Sequence, residues 1–353
     1  MNTRSLVHPL VPAASAAPIR RVGVVGTGEA FQRLIAPALV RLGFQDRLVV
    51  CGLGPPPGDF PGEFLPVVDR SRLPLPALTD RGFLGPETLW IVATSPEWHV
   101  PYALQLADTG ARVAIEKPVA LDFREARRLL AHPNRDIHAL DHKVFNKEVL
   151  RMLEGFRAHP DRLDAVRHVE GLFLEPEGFA PGRGQLDTLL DVTLHLVQIL
   201  AAALRVPGAP PFRLVADHVA GARHLPGPGQ RAAAATVPTA TLLRGRALRT
   251  QGDLPFRFFQ VKAAGCSEKW IRFRDADGEV IAGARLEEPS AAAYARMLER
   301  LFRPAPDFPY TLAEAIGVGE YLEAARARAV RAADYPVGRR PEFGLAAPIL
   351  AAA

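Results

Sequence analysis

Two short groups of residues have the types and spacing for proton and hydride chemistry. The first is Glu116-Lys117-Pro118, where an apolar strand-like run, Arg112–Ile115, stops at a lysine held before a proline. The second is Asp191 and His195, four residues apart on a helical pattern, Leu186–Leu204, that puts Asp187 on the same side. Moving a hydride from an alcohol carbon requires a group that takes the hydroxyl proton and a charge that steadies the developing oxyanion. An ammonium such as Lys117 suits the second task. An imidazole suits the first, because a carboxylate one turn away orients it and raises its pKa toward neutrality. Each group also has a plainer use, as a surface lysine at a proline turn or a core histidine satisfied by its own helix. Neither group alone decides between the two.

A third signal lies near the start. Gly26-Thr27-Gly28 joins the strand-like Val22–Val25 to the helical pattern Ala30–Leu42. In that setting the first glycine permits a tight turn, and the second lets backbone approach a pyrophosphate at the helix N-terminus. The same pair also fits a plain tight turn in a doubly wound sheet. Two departures stand out: Phe31 occupies the place of a third small residue, and no acidic residue follows the second strand at Cys51-Gly52-Leu53-Gly54 to accept ribose hydroxyls. Asp59 and Arg70-Ser71-Arg72 lie further on and could serve, so the choice between NAD and NADP stays open. Further along, Thr94-Ser95-Pro96 and His99 open another helix, and Asp141-His142-Lys143 closes another strand.

The elements that must carry these groups alternate in the first half. Strands are read at Val22–Val25, Arg47–Cys51, Leu89–Ala93, Arg112–Ile115 and Ile137–Leu140, with helices at Ala30–Leu42, His99–Thr109 and Phe123–Ala131, the last capped by Asp122. Strand alternating with helix implies a parallel sheet covered on both faces. The proline- and glycine-rich stretch from Gly52 to Leu65 cannot hold a regular helix, so a crossover helix is missing or much reduced there. After about Arg162 strands predominate, at Val166–Leu174, Phe212–Val219, Thr236–Leu243, Phe256–Lys262 and Trp270–Arg274. Asp275-Ala276-Asp277-Gly278 marks a hairpin, and helices Ala291–Leu301 and Leu312–Ala329 follow.

The fold class is therefore α/β: an N-terminal Rossmann-type parallel sheet plus a C-terminal α+β domain with an open, mainly antiparallel sheet. The domains are placed at 1–18 (disordered leader), 19–143 (dinucleotide binding), 144–335 (substrate binding and oligomerisation) and 336–353 (tail).

Composition narrows the class. The 353 residues are 48% hydrophobic and 23% charged, the balance of a globular protein with two cores. The net charge of +5 comes from arginines spread over helices, which reads as solvated faces and not as a nucleic-acid footprint. Cys51 and Cys266 are too few for a disulfide framework, lack metal-ligand spacing and are read as small buried hydrophobes. No run is long enough for a membrane span, and His8, Pro9 and Pro12 break any signal-like core. A cytoplasmic protein without a metal is the plain expectation.

Taken in order, Gly26-Thr27-Gly28, Thr94-Ser95-Pro96 with His99, Gly110-Ala111-Arg112-Val113-Ala114-Ile115-Glu116-Lys117-Pro118 and Asp191 with His195 resemble the glucose-fructose oxidoreductase / inositol dehydrogenase (Gfo/Idh/MocA) family, from about Arg21 to about Val330. Asp141-His142 followed by Asn146-Lys147-Glu148, the helix Asp191-Val192 to Leu200, and Tyr294 with Met297-Leu298 are also similar to segments of glucose-6-phosphate dehydrogenases.

The resemblance implies an NAD- or NADP-dependent oxidoreductase acting on a sugar, sugar phosphate, nucleotide sugar or cyclitol. It implies Lys117 at the cofactor edge and the reacting hydroxyl, His195 as base or acid, and Asp191 or Asp141 orienting that histidine. Gly26, Thr27, Gly28, Phe31, Thr94, Ser95, Pro96, His99, Glu116 and Lys117 would line the cofactor. Asp141, His142 and Lys147 would meet the substrate. A homodimer or homotetramer through the C-terminal sheet is implied as well, with no nucleic-acid or membrane partner. The competing reading is a dehydrogenase-like partner or sensor whose cofactor binding is lost or altered, to which Phe31 and the proline-rich segment 55–61 point.

Overall fold

The computed structural model describes residues 17–53, 58, 62–175, 188–205, 211–222, 224–225, 240–250, 252–262, 266–304, 306–331 and 335–336. It divides into two compact units, one of His8–Asn146 with Glu288–Ile316, the other of Met1–Val7, Lys147–Glu287 and Gly317–Ala353. The expected leader and tail lie outside the described residues, apart from their inner edges.

In the first unit, strands β1 (Arg21–Val25), β2 (Leu48–Gly52), β3 (Glu63–Pro66), β4 (Thr88–Val92), β5 (Arg112–Glu116) and β6 (Ile137–Leu140) form one parallel sheet in the order β3-β2-β1-β4-β5-β6. β2, β4 and β5 are buried along their whole length, which is why their sequences read as unbroken apolar runs and not as alternations. Helices α1 (Ala36–Arg41), α2 (Leu75–Asp80), α3 (His99–Ala107) and α4 (Phe123–Ala131) connect them. The Asp122 side chain accepts from the Arg124 N–H at 2.8 Å, the cap expected for α4. β3 and α2 have no counterpart in the sequence reading. Of the proline-rich stretch before β3, residues 54–57 and 59–61 lie outside the described residues.

All six strands run the same way, so Gly26, Thr94, Lys117 and Asp141 each follow a strand end on one edge of the sheet.

The second unit opens with α5 (Lys147–Ala158) and α6 (Pro160–Ala165), two helices absent from the sequence reading. β7 (His168–Leu174) follows, then α7 (Leu194–Leu204), β8 (Phe212–Ala222), β9 (His224–Leu225), β10 (Ala240–Arg249), β11 (Leu254–Val261), β12 (Glu268–Arg274) and β13 (Val280–Arg285). The chain ends its regular structure with α8 (Ser290–Leu301), α9 (Leu312–Arg326), β14 (Val330–Arg331) and β15 (Tyr335–Pro336), the last pairing with β9 as a separate two-stranded ribbon.

Seven strands form a mixed sheet, β13-β12-β7-β11-β10-β8-β14, antiparallel except where β11 meets β7 and β14 meets β8. At Gly171 of β7 an added Cβ would lie 2.9 Å from the Phe258 ring and 3.1 Å from Leu196, so the glycine is what lets α7 settle on the sheet. The expected hairpin joins β12 to β13, with the Asp275 carboxylate accepting from the Asp277 and Glu279 N–H groups at 3.0 and 2.9 Å.

One boundary is corrected. The sequence assigns 144–335 to the second domain, but Glu288–Ile316 clusters with the first unit. Its anchor is Arg112, fully buried in β5, whose guanidinium pairs with Asp136 at 2.8 Å and donates to the carbonyls of Leu301 and Arg303 past the end of α8. A buried guanidinium needs most of its five donors met, and nothing in the linear order of residues reveals that its acceptors lie some 190 positions away.

Candidate functional site

The glycine turn is built for close approach. Gly26 has φ +114°, and a Cβ there would stand 2.4 Å from the Ala93 carbonyl oxygen, so only glycine fits between the ends of β1 and β4. Its N–H donates to the Cys51 carbonyl at 2.8 Å. Around Gly28, by contrast, an added Cβ would meet nothing within 4 Å. The backbone there faces open space, the condition a pyrophosphate needs. Phe31 does not intrude: its ring is 1% exposed and opens a π-helical turn, Phe31–Ile35, ahead of α1. The wider turn takes the bulk that a third small residue would otherwise spare. Where an acidic residue would follow β2, the chain has exposed Leu53.

The described residues thus fit a dinucleotide at Gly26–Gly28, without a carboxylate for the ribose at the end of β2. Asp59 lies outside the described residues. Arg70 and Arg72 are exposed, with Asp69 between them and β3 engaged on the Ser71 N–H and hydroxyl at 2.8 and 2.7 Å.

Lys117 sits on the turn after β5, and the Lys117–Pro118 peptide is cis. Two neighbours, Glu116 and His99, hold this turn, and His99 also ties it to the turn after β4. The Glu116 carboxylate accepts the Lys117 N–H at 3.1 Å, the His99 Nδ1 lies 2.9 Å from the Pro118 carbonyl oxygen, and His99 Nε2 lies 2.9 Å from the Thr94 carbonyl oxygen. His99 therefore joins the turns after β4 and β5 instead of reaching outward as a cofactor contact; it is 1% exposed, and burial lowers its pKa. Thr94, Ser95 and Pro96 are partly or fully exposed at the same edge, Ser95 capping the turn Pro96–Trp98 ahead of α3 and donating to Glu97 at 2.8 Å.

Glu116 is fully enclosed. Burial drives its carboxyl pKa up against the opposing pull of the Tyr294 hydroxyl and the Lys117 charge, and nearby Asp141 pushes the same way as burial. Asp141 and His142 follow β6 on the neighbouring strand, both buried, with the His142 ring tilted 6.2 Å from that of Tyr294. Lys143 is buried too and donates to the Ser290 hydroxyl at 2.9 Å. Lys147 stands exposed at the first position of α5.

In the second unit Asp191 and His195 are both present and both buried, at 3% and 4% exposure. Their surroundings differ from a plain amphipathic helix. Leu189–Thr193 forms a π-helical turn, and α7 begins only at Leu194, so Asp191 and His195 belong to turns of different pitch. Asp187 lies outside the described residues. The His195 ring stacks on Phe173 of β7, centroids 5.8 Å apart.

The partner that sequence reading missed is Lys262. Its Nζ lies 2.6 Å from the Asp191 carboxylate and 3.1 Å from Glu175, which also pairs with Lys269 at 3.0 Å. Burial raises the Glu175 pKa, but the two lysines outweigh it and hold the carboxyl at about 2. A usable signal exists in strand parity. Counting in twos along β11 from Phe258, whose ring faces Gly171 and α7, leads to Gln260 and then Lys262; counting from Gly171 along β7 leads to Phe173 and then Glu175. A lysine and a glutamate that continue the inward-facing set of their strands must find each other or another charge.

Cys51 is buried and its thiol is pushed up to about 12 by burial; Cys266 is partly buried against the apolar cluster of Leu172, Phe259 and Trp270. Among the described residues no cluster of three metal-ligating side chains occurs, and no helix is long and apolar enough to cross a membrane.

No family model and no curated protein matches the chain by sequence. Solved structures do match by fold. A glucose-6-phosphate 1-dehydrogenase from Mycobacterium avium superposes with TM-score 0.69 at 16% identity, over 95% of this chain and 98% of that one. A myo-inositol dehydrogenase from Corynebacterium glutamicum gives 0.65 at 12% identity, over 88% and 96%. GenD2 from gentamicin A biosynthesis, solved in complex with NAD, gives 0.66 at 19% identity, over 91% and 97%. The chain has the fold of Gfo/Idh/MocA-type dehydrogenases.

Proposed function

We propose that the protein is an NAD(P)-dependent oxidoreductase that moves a hydride between the nicotinamide and a hydroxyl or keto carbon of a sugar, sugar phosphate, nucleotide sugar or cyclitol. The observation that carries this reading is the single sheet edge on which the open Gly28 turn and the braced Lys117 turn both lie. Ligands of doubly wound sheets bind at that edge. When bound, the nicotinamide supplies the hydride acceptor or donor.

The chain's own residues supply the rest. Gly26, Thr27 and Gly28 receive the pyrophosphate, with Thr94, Ser95 and Pro96 on the neighbouring strand end, while Phe31 supports the turn from inside. Glu116 and His99 hold the backbone that presents Lys117, whose ammonium steadies negative charge on the reacting oxygen. His195 takes the hydroxyl proton in oxidation and returns it in reduction, with Asp191 beside it in the chain. Asp141, His142 and Lys147 are the proposed substrate contacts. Assembly as a dimer or tetramer through the seven-stranded sheet, and a cytoplasmic location, belong to the same proposal. The buried Phe31 and the open Gly28 backbone favour this proposal over the partner-or-sensor reading.

The test is direct. Purified protein is melted with NAD⁺, NADP⁺ and their reduced forms, then assayed for reduced nicotinamide with a panel of hexoses, hexose phosphates and inositols. A rise in melting temperature with one nicotinamide and turnover of at least one polyol are expected. No stabilisation by any nicotinamide would overturn the proposal.

A further inference from the structure

The buried charges around Asp191 invite a question that the helix alone cannot answer: what does the carboxylate balance against? Lys262, at the end of β11, places its Nζ 2.6 Å from Asp191 and 3.1 Å from Glu175, with the Lys262 and Asp191 side chains 9% and 3% exposed. Enclosed charges at such distances interact far more strongly than surface pairs, and removing one member leaves the other stranded.

We propose that Lys262 is a positioning residue of the site: it fixes the Asp191 carboxylate on its π turn and, by offsetting that charge, sets the pH range over which His195 exchanges its proton. The inference rests on the reading of His195 as the proton-transfer group.

Among the described residues, the elements packed about α7 and its π turn bring charged groups from four directions. Asp191 precedes His195 on the π turn. Lys262 ends β11. From β7 come Phe173, stacked on the imidazole, and Glu175 just beyond it. From β12 comes Lys269, whose Nζ lies 4.6 Å from the centroid of that same Phe173 ring. The residues that α5 buries are apolar: Val149, Leu150, Met152, Leu153 and Phe156. Among the described residues, two carboxylates and two ammonium groups therefore form one linked cluster on this side of the sheet. A lone Asp191 carboxylate would favour the imidazolium form of a neighbouring histidine; a carboxylate matched by Lys262 favours it less. Lys262 thus sets how strongly Asp191 can favour a proton on the imidazole.

The experiment follows the His195 imidazole by NMR in the full-length protein with labelled histidine, His195→Asn supplying the assignment. Lys262→Met should raise the His195 midpoint by about one pH unit, because Asp191 loses this counter-charge and Glu175 keeps only Lys269. Asp191→Asn should lower it. Lys262→Arg should return the wild-type midpoint, and so should the double variant Lys262→Met/Asp191→Asn. A wild-type midpoint in Lys262→Met, or one that falls, would overturn the proposal. Should Lys262→Met fail to fold, the Asp191→Asn and double variants decide the matter by the same comparison. The measurement needs no substrate. Absence of turnover on every polyol would therefore count against the proposed function, while an unmoved imidazole counts against the role of Lys262.

Discussion

Two glutamates, one in each unit, are held in opposite ways. Glu116 lies behind Lys117 with its carboxyl pKa raised, chiefly by burial; Glu175 lies between Lys262 and Lys269 with its carboxyl held at about 2. The residue type is the same, but Glu116 is 6% exposed and the Glu175 side chain 25%, so the difference is set both by depth of burial and by the number and closeness of cations. The Lys117 turn is braced by backbone and carbonyl contacts, which fix its geometry through hydrogen bonds. The Asp191 turn is braced by ion pairs, which fix geometry by consuming charge. A reaction that develops negative charge on an oxygen needs the first kind of support around its cation and the second around its base.

The largest effect that would break this contrast is catalytic. Lys117→Met and His195→Asn should each lower turnover by about 10²–10⁴-fold while leaving the far-ultraviolet circular dichroism and the melting temperature close to wild type. Near-normal rates in both variants would remove the functional half of the comparison.

Next comes stability in denaturant. Lys262→Met takes a buried ion-pair partner from Asp191 and leaves Glu175 with Lys269 alone, and should cost about 3–5 kcal/mol in urea unfolding, whereas Glu116→Gln, at a carboxyl whose pKa burial raises, should cost less than about 1 kcal/mol. Equal costs would mean that the two glutamates are not held differently after all.

The pH dependence sharpens the same point. A carboxyl held at about 2, against an ordinary 4.5, contributes stability that is fully present above the ordinary value and lost as the pH falls toward the folded one. Glu175→Gln should therefore lose about 3 kcal/mol relative to wild type at neutral pH and close that gap in acid. Glu116 has the opposite sign: its folded carboxyl favours the proton, so its contribution is present in acid and lost as the pH rises through its raised value. Glu116→Gln should flatten that loss on the alkaline side. Urea midpoints measured from pH 3 to pH 8 would show both.

The smallest effect compares the two glycines. Gly26→Ala must push its Cβ against the Ala93 carbonyl at a positive φ and should destabilise by about 1–3 kcal/mol. Gly28→Val should fold normally and lose only the stabilisation that NAD⁺ or NADP⁺ confers in thermal melts. A Gly28→Val protein that still melts higher with either nicotinamide would place the cofactor elsewhere.

Much of this was legible in the residues. The order of apolar runs and turn signals yields five of the six parallel strands, and the Asp122 cap and the Asp275 hairpin appear where local chemistry puts them. Local signals failed where the deciding partner is remote. β3 is a short edge strand with one buried residue, too little pattern to distinguish it from a loop. Phe31 reads as an obstacle until the π turn is seen, since helix pitch is not written in composition. The α5 helix was missed, although its buried residues Val149, Leu150, Met152, Leu153 and Phe156 keep helical spacing.

The sequence by itself determined which residues stand at strand ends and helix starts: Gly26, Thr94, Lys117 and Asp141 on one edge, Asp191 and His195 a helical turn apart. These follow from periods of two and about 3.6 and from the fixed behaviour of glycine and proline. Only the tertiary structure decided what surrounds them. Lys262 reaches Asp191, Arg112 reaches the end of α8, and His99 bridges two turns because strands far apart in the chain lie about 5 Å apart in the sheet. Charge states depend on those neighbours through distance and burial, and neither quantity exists until the chain has folded.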